Sequence, residues 1–420
     1  MRALPMAVIL AVGFTLSVSE GQSPPVPTLA LVGARIYSSP NAAPLDNGVV
    51  IVRDGKIAQI GPRQSIRLQA GATIIDCTGT VMTAGFQNSH VHFTEQKWTE
   101  AAQQPGSKLA EQLQAMLTRY GFTTVVDTGS FLPDTVALRR RIESHEFVGP
   151  RILTAGLPAY PPDGVPYYVK DGALADLLKL LPQPSTSKQA IDFVRQNIRG
   201  GADVIKLFTG SWVTRQMILP MPDDVASAAV AEAHRRGKLV FTHPSNLAGL
   251  EVALRARVDV LAHAVEDTRG LTADHLRRMK AQNMALIPTL HLFGGDNNIR
   301  EIRAQVRDYQ RTGGDVLFGT DVGYLPGYDP TDEFVQMSSA ELTWREILAS
   351  LTTKPASRFG ESSRRGRVAL GFEADLVVLA RDPATDVRAF ADVAQVIRGG
   401  QIIYSRSSPL RIGNNVPSGR

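Results

Sequence analysis

The sequence predicts an α/β protein, a (β/α)8 TIM-type barrel with a small β-sandwich domain built from both chain ends. Three observations predict it. Short apolar runs alternate with amphipathic helical stretches across residues 82–360. The flanking segments read as short strands and turns. Histidine, lysine and aspartate recur at the C-terminal ends of the central runs, where such barrels carry catalytic groups.

Residues 1–22 read as a secretory signal peptide. Arg2 precedes an apolar stretch from Ala3 to Leu16, and small residues follow at Ser17 and Ser19. The stretch is shorter than the roughly 20 residues of a spanning helix. The expectation is an exported protein, periplasmic or secreted, with no stable membrane insertion after cleavage; a retained anchor is the alternative. The stretch from Gln22 to Pro27 reads as a flexible leader. The single cysteine, Cys77, leaves no internal disulfide and reads as a buried small apolar residue.

Residues 28–81 and 361–410 are expected to form the composite β-domain. Leu29–Tyr37 is one strand, and Gly48–Ile60 is a hairpin turning at Asp54-Gly55. Ala374–Leu379 and Val393–Tyr404 repeat this character, the latter turning at Gly399-Gly400. Neither end is long enough to bury a core alone, so the two are expected to pack together.

The barrel spans 82–360. Its first strand ends at His92. The others are Thr123–Asp127, Arg151–Thr154, Asp203–Phe208, Leu239–His243, Val258–His263, Ala285–Leu290 and Asp315–Asp321. Between two of them, Pro222–Gly237 has acids in its first turn, bases in its last and a terminal glycine, the signature of a complete helix. A doubly wound sheet usually shows a Gly-rich turn after its first strand, and none is present there.

Composition narrows the function classes. The net charge is +5, from 45 basic and 40 acidic residues that are interspersed, so no nucleic-acid face is expected. The expected partner is a small-molecule substrate, and a homo-oligomer is compatible with the sequence.

The chemistry gathers at the strand ends. His90 and His92 stand one strand step apart and point to one side. Lys206, His243, His263 and Asp321 end later strands. Each has a plain structural reading alone: a satisfied core histidine, a lysine reaching for solvent, a turn carboxylate. Together they put ligand-type residues on five of eight strands, which those readings do not predict. Four histidines, one aspartate and no cysteine suit zinc or another borderline divalent ion.

On these residues the chain resembles the amidohydrolase superfamily, in its imidazolonepropionase-like and prolidase-like branch. The resemblance rests on Gly85-Phe86-Gln87-Asn88-Ser89-His90-Val91-His92, on Gly201-Ala202-Asp203-Val204-Ile205-Lys206, on Phe318-Gly319-Thr320-Asp321, and on the tail Gly371–Val378. It implies two divalent metal ions, zinc in the first instance. His90, His92 and Asp321 would hold one, and His243 and His263 the second. Lys206 would bridge them as a carbamate formed from CO2 and its neutral amine, a form favoured by burial and nearby positive charge. It further implies cleavage of an amide-type C–N bond, in a dipeptide, an N-acyl amino acid or a cyclic amide. A metal-bridging hydroxide would attack and Asp321 would shuttle the proton.

Ser245 stands where prolidase-like relatives often carry a second histidine and imidazolonepropionase a glutamate, so the substrate stays open. His291, just after strand seven, is the candidate substrate or oxyanion contact. Trp212, Arg215, Lys97, Trp98 and Tyr324 are expected on loops facing the site. His145, His234 and His275 are expected at the surface, and Arg364-Arg365-Gly366-Arg367 as a solvated turn. Rival readings are a mononuclear deaminase or cyclic-amide hydrolase, a lactonase or phosphotriesterase-like hydrolase, and an exported metal-binding protein without catalysis.

Overall fold

Residues 28–172, 178–406 and 412–413 are described by a computed structural model. The expected signal peptide lies outside the described residues. The N-terminal strands are β1 (Leu29–Ile36), β2 (Leu45–Arg53), β3 (Lys56–Pro62), β4 (Thr73–Asp76) and β5 (Val81–Ala84). β2 and β3 join through Asp54 and Gly55, both at positive φ, as a two-residue hairpin requires.

β5 leads through Gly85 into β6 (Phe86–Val91). β6, β7 (Phe122–Asp127) and β8 (Arg151–Thr154) form one parallel sheet. β9 (Ile205–Phe208) is followed by a hairpin of β10 (Gly210–Thr214) and β11 (Met217–Pro220). β9, β12 (Val240–His243), β13 (Val260–Ala262) and β14 (Ala285–Ile287) make a second parallel sheet. Parallel neighbours need crossover connections, and helices such as Ser187–Gly200, Asp223–Arg235 and Leu247–Ala256 supply them.

Val126, Ala155, Val204, Phe241, Val260, Ala262, Ala285, Ile287 and Leu317 form one buried apolar cluster, drawn from the ends of both sheets and from the run after residue 315. A larger cluster packs the other face of these strands against the helices. The strands are therefore buried on both faces, as parallel strands are.

Single parallel bridges link these pieces: Ala159 with Leu207, Leu286 with Val316, and Val91 with Val322. Among the described residues the ladder does not run as one closed sheet. The expected eighth strand, Asp315–Asp321, forms no regular strand. A Cβ on Gly319 would stand 2.4 Å from Ile287 Cγ2 and 2.9 Å from the Cβ of His90, so the backbone passes against its neighbours there. Asp321 follows with φ 58, in the left-handed region, which ends extended geometry.

The chain returns through β15 (Leu376–Leu379), β16 (Val393–Arg398), β17 (Gln401–Ser405) and β18 (Ile412–Gly413). These join β1–β5 in a nine-stranded sheet ordered β17-β16-β15-β5-β1-β2-β3, with β4 between β1 and β18. Hydrogen bonding makes this one branched sheet where a two-sheet sandwich is expected. The branch lies at β1, whose first half pairs with β4 and whose last residues pair with β5. Its core mixes both ends, with Leu31, Val50, Cys77 and Met82 against Leu376, Val378 and Ile397. Cys77 is buried, and that burial pushes its thiol up to about 12. The turn at Gly399 and Gly400 packs on the β2–β3 turn, where a Cβ on Gly55 would meet Gly399 O at 2.9 Å.

Arg365 departs from the expected solvated turn. Its side chain is 4% exposed and reaches Glu361, Glu373 and Asp375. The guanidinium thereby ties the returning sheet to the helical segment before it. No helix among the described residues is long and apolar enough to cross a membrane.

Candidate metal centre

His90 and His92 leave the end of β6 toward the same point, as their spacing dictates. Their Nε2 atoms stand 3.2 Å apart. Asp321 Oδ1 lies 3.0 Å from His90 Nε2 and 2.9 Å from His92 Nε2. The three side chains form the one group of ligand-type residues close enough to share an ion among the described residues.

Neighbouring groups fix the orientations. His92 Nδ1 is 2.9 Å from the Gly129 carbonyl, which can only accept, so Nδ1–H donates and Nε2 faces Asp321. Asp127, fully buried at the end of β7, holds that carbonyl in place. Its Oδ1 accepts from Gly129 N and Ser130 Oγ, and its Oδ2 from Thr154 Oγ1 at 2.7 Å. Burial raises the Asp127 pKa, against the lowering pull of these donors. Asn88 ties β6 to the segment bearing Asp321, donating to Thr320 Oγ1 at 2.8 Å and accepting from Thr320 N at 3.3 Å.

His243 and His263 end β12 and β13 beside this group. The His90 and His263 ring centroids are 4.5 Å apart, and those of His243 and His263 4.8 Å. Thr289 donates its hydroxyl proton to the Pro288 carbonyl, so His263 Nδ1–H donates to Thr289 Oγ1 and its Nε2 is left free. His243 stacks on Phe208 at 4.7 Å. Lys206 on β9 is 2% exposed, and its Nζ donates to the Ala262 carbonyl at 3.2 Å.

Burial sets the charge states. It lowers Lys206 to about 7, against the pull of Asp321. It lowers His90 to about 3, helped by the Lys206 charge, and holds His243 and His263 well below the usual imidazole range. For His92, burial works against the charge, but the Asp321 carboxylate outweighs it and the pKa rises. Burial likewise opposes the Asp321 carboxylate, but the surrounding imidazoles hold it well below the usual range. The centre is thus three neutral imidazoles, a fourth whose proton affinity the carboxylate raises, and one buried amine around a single carboxylate, a donor set suited to a divalent cation.

Residues 81–403 match the amidohydrolase family. The chain belongs to this family. The chain is 24% identical over 400 residues to an imidazolonepropionase of Sphingopyxis alaskensis, covering 85% of this chain and 93% of that protein. It is 23% identical over 430 residues to an ochratoxinase of Aspergillus niger, covering 89% and 86%. A crystal structure of a Xaa-Pro dipeptidase with methionine in its active site superposes with a TM-score of 0.75 at 21% identity, covering 90% of this chain and all of that one. As a member of the amidohydrolase family it is a metal-dependent hydrolase acting on C–N bonds of small molecules.

Not every expected site residue meets the amidohydrolase centre. His291, on the turn Leu290–Phe293, bonds Asp332 Oδ2 through Nδ1 at 2.7 Å, and its side chain is 40% exposed. Trp98 is buried against Phe93 and belongs to the core. Trp212 donates to Glu266 Oε2 at 2.6 Å, and Arg215 lies over the Tyr167 ring. His275, expected at the surface, is half-buried and pairs with Glu251. Asp127, Asn88 and Thr289 are orienting residues that the sequence reading missed. Asp127 left a readable sign, a carboxylate at the end of a predicted strand.

Proposed function

We propose that this protein hydrolyses an amide-type C–N bond in a dipeptide, an N-acyl amino acid or a cyclic amide at a two-metal centre, on a (β/α)8 frame closed through the three single bridges. One observation carries the reading. His92 donates through Nδ1 to the Gly129 carbonyl, so its Nε2 faces the Asp321 carboxylate oxygen at 2.9 Å, with His90 Nε2 at 3.0 Å from the same oxygen. Only a cation between them, a proton or a metal ion, reconciles that approach. His90, His92 and Asp321 fit one ion. His243, His263 and Lys206 would hold the second, with the neutral Lys206 amine taking up CO2 and releasing a proton to give an anionic carbamate. Zinc suits this nitrogen-rich set.

A divalent ion held there supplies Lewis acidity, toward both a water and the scissile carbonyl. The remaining work belongs to the chain. Asp321 takes a proton on its carboxylate and returns it to the departing nitrogen. Asp127, through the Gly129 carbonyl, and Thr289 keep His92 and His263 turned inward. The buried walls around Lys206 and His243 keep bulk water from the reacting bond. The protein is read as acting outside the cytoplasm, after removal of residues 1–22.

The test is a panel of dipeptides, N-acyl amino acids, lactams and lactones with zinc and bicarbonate supplied. Hydrolysis of one amide class by the wild type, and a loss of about 10²–10⁴-fold in Asp321→Asn, is expected. Lys206→Ala is expected to lower bound metal from about two ions per chain to about one or none. Metal content near one, unchanged by Lys206→Ala, would overturn the two-metal reading. Turnover of lactones alone would overturn the amide assignment.

A further inference from the structure

A cavity opens beside the chain segment that carries Asp321, lined by its neighbours and by none of the metal-centre residues themselves. It encloses about 230 Å³. Thr320 and Val322, the chain neighbours of Asp321, form one wall, and His291, Tyr328, Asp329 and Glu333 contribute the others. No lysine or arginine lines it.

Its floor holds an unusual group. Glu333 is 1% exposed, in the first turn of the helix Thr331–Ser339. Its Oε2 accepts the His291 amide at 2.7 Å. Its Oε1 is buried and has no partner among the described residues. An unpaired buried carboxyl oxygen is costly, and such groups in folded proteins normally meet a donor or an ion. Asp329 adds a second carboxylate, oriented by the amide and hydroxyl of Thr331. The neighbouring imidazole of His291 is already engaged by Asp332.

We propose that this cavity binds a cationic nitrogen of the substrate, an ammonium or guanidinium group, with Glu333 as its counter-ion. The assignment rests on the hydrolase reading for the reaction, and on the cavity alone for the charge. Burial, reinforced by Asp332, raises Glu333 to about 8, so without a ligand it stays protonated near neutral pH. An entering cation supplies the missing partner for Oε1 and favours the carboxylate. A water occupies roughly 30 Å³ of liquid, so the space suits a basic group on a short alkyl stem. The substrates selected are amides that carry a basic nitrogen near the scissile bond, ahead of neutral isosteres.

Two measurements separate the parts. Calorimetry on the full-length zinc-loaded protein compares propylguanidine and butylamine with butanol. The cations are expected to bind at least about tenfold more tightly than the alcohol. Glu333→Gln is expected to weaken cation binding by about thirtyfold, because glutamine keeps the acceptor for the His291 amide and loses the charge. Equal binding of cation and alcohol by the wild type overturns the proposal without any variant having to fold. Hydrolysis of N-acetyl-lysine is then compared with N-acetyl-norleucine, with an expected kcat/KM preference of about tenfold for lysine. Cation binding with no hydrolysis of any amide would uphold the cavity and overturn the reaction. Hydrolysis of both substrates at equal rates, without cation binding, would do the reverse.

Discussion

Replacing Glu333 by glutamine removes one large titration from the stability of the fold. Burial lifts this carboxyl from 4.5 to about 8, and the amides of His291 and Leu290 only partly oppose it. The native state therefore holds the proton more tightly than the unfolded chain. Stability from this source is fully present below the unfolded pKa of about 4.5 and is lost as pH rises through about 8. Every tenfold gain in proton affinity on folding is worth about 1.4 kcal/mol, so the full loss from this group is roughly 5 kcal/mol. Glu333→Gln stays uncharged throughout and does not suffer it. The assay is urea unfolding of both proteins, metal-free, at about pH 5 and about pH 9. The histidines and Lys206 titrate in both proteins, so their contributions cancel in the difference. The variant is expected to gain on the wild type by a few kcal/mol between the two conditions. Parallel pH curves would refute the reasoning and return Glu333 to an ordinary, solvated carboxylate.

Three other substitutions test separate parts of the structure. Gly319→Ala should destabilise by about 1–3 kcal/mol in thermal or urea unfolding, because its Cβ meets Ile287 and His90 with no room to move. Asp127→Asn should leave the fold intact but weaken metal binding by about 10–100-fold in chelator competition, since an amide cannot accept from Gly129, Ser130 and Thr154 together. Arg365→Ala should cost about 3–5 kcal/mol in unfolding free energy, because Glu361, Glu373 and Asp375 lose their shared buried cation.

Much of the centre could be read from residue types at strand ends. His90, His92, Lys206, His243 and His263 come together because parallel strands deliver their C-terminal residues to one side, and Asp321 meets the first two from an irregular run. Asp127, Asn88 and Thr289 escaped notice for a physical reason. A carboxylate, amide or hydroxyl that orients a ligand has the same sequence appearance as one that closes a turn, and only its partner tells them apart. The eighth strand was misjudged similarly. Its apolar run is real, but the close pass at Gly319 and the left-handed turn at Asp321 depend on neighbours far away in the chain. Arg365 looked solvated because its acidic partners include Glu361, before it, and Glu373 and Asp375, beyond a turn. Glu333 carried no sequence signal at all, since its burial comes from the turn at Leu290–Phe293 folding over it.

The nine-stranded sheet has a consequence for assembly in time. β5 runs through Gly85 into the strand bearing His90, and its partners in the sheet are β1, shortly before it in sequence, and β15, far after it. During synthesis β5 therefore waits, with one edge unpaired, until β15 has emerged. Contacts of such long sequence separation form slowly and leave sticky edges exposed meanwhile. A chain cut short before residue 376 would keep a middle that can collapse but would leave β5, and the His90 strand it leads into, without a fixed base.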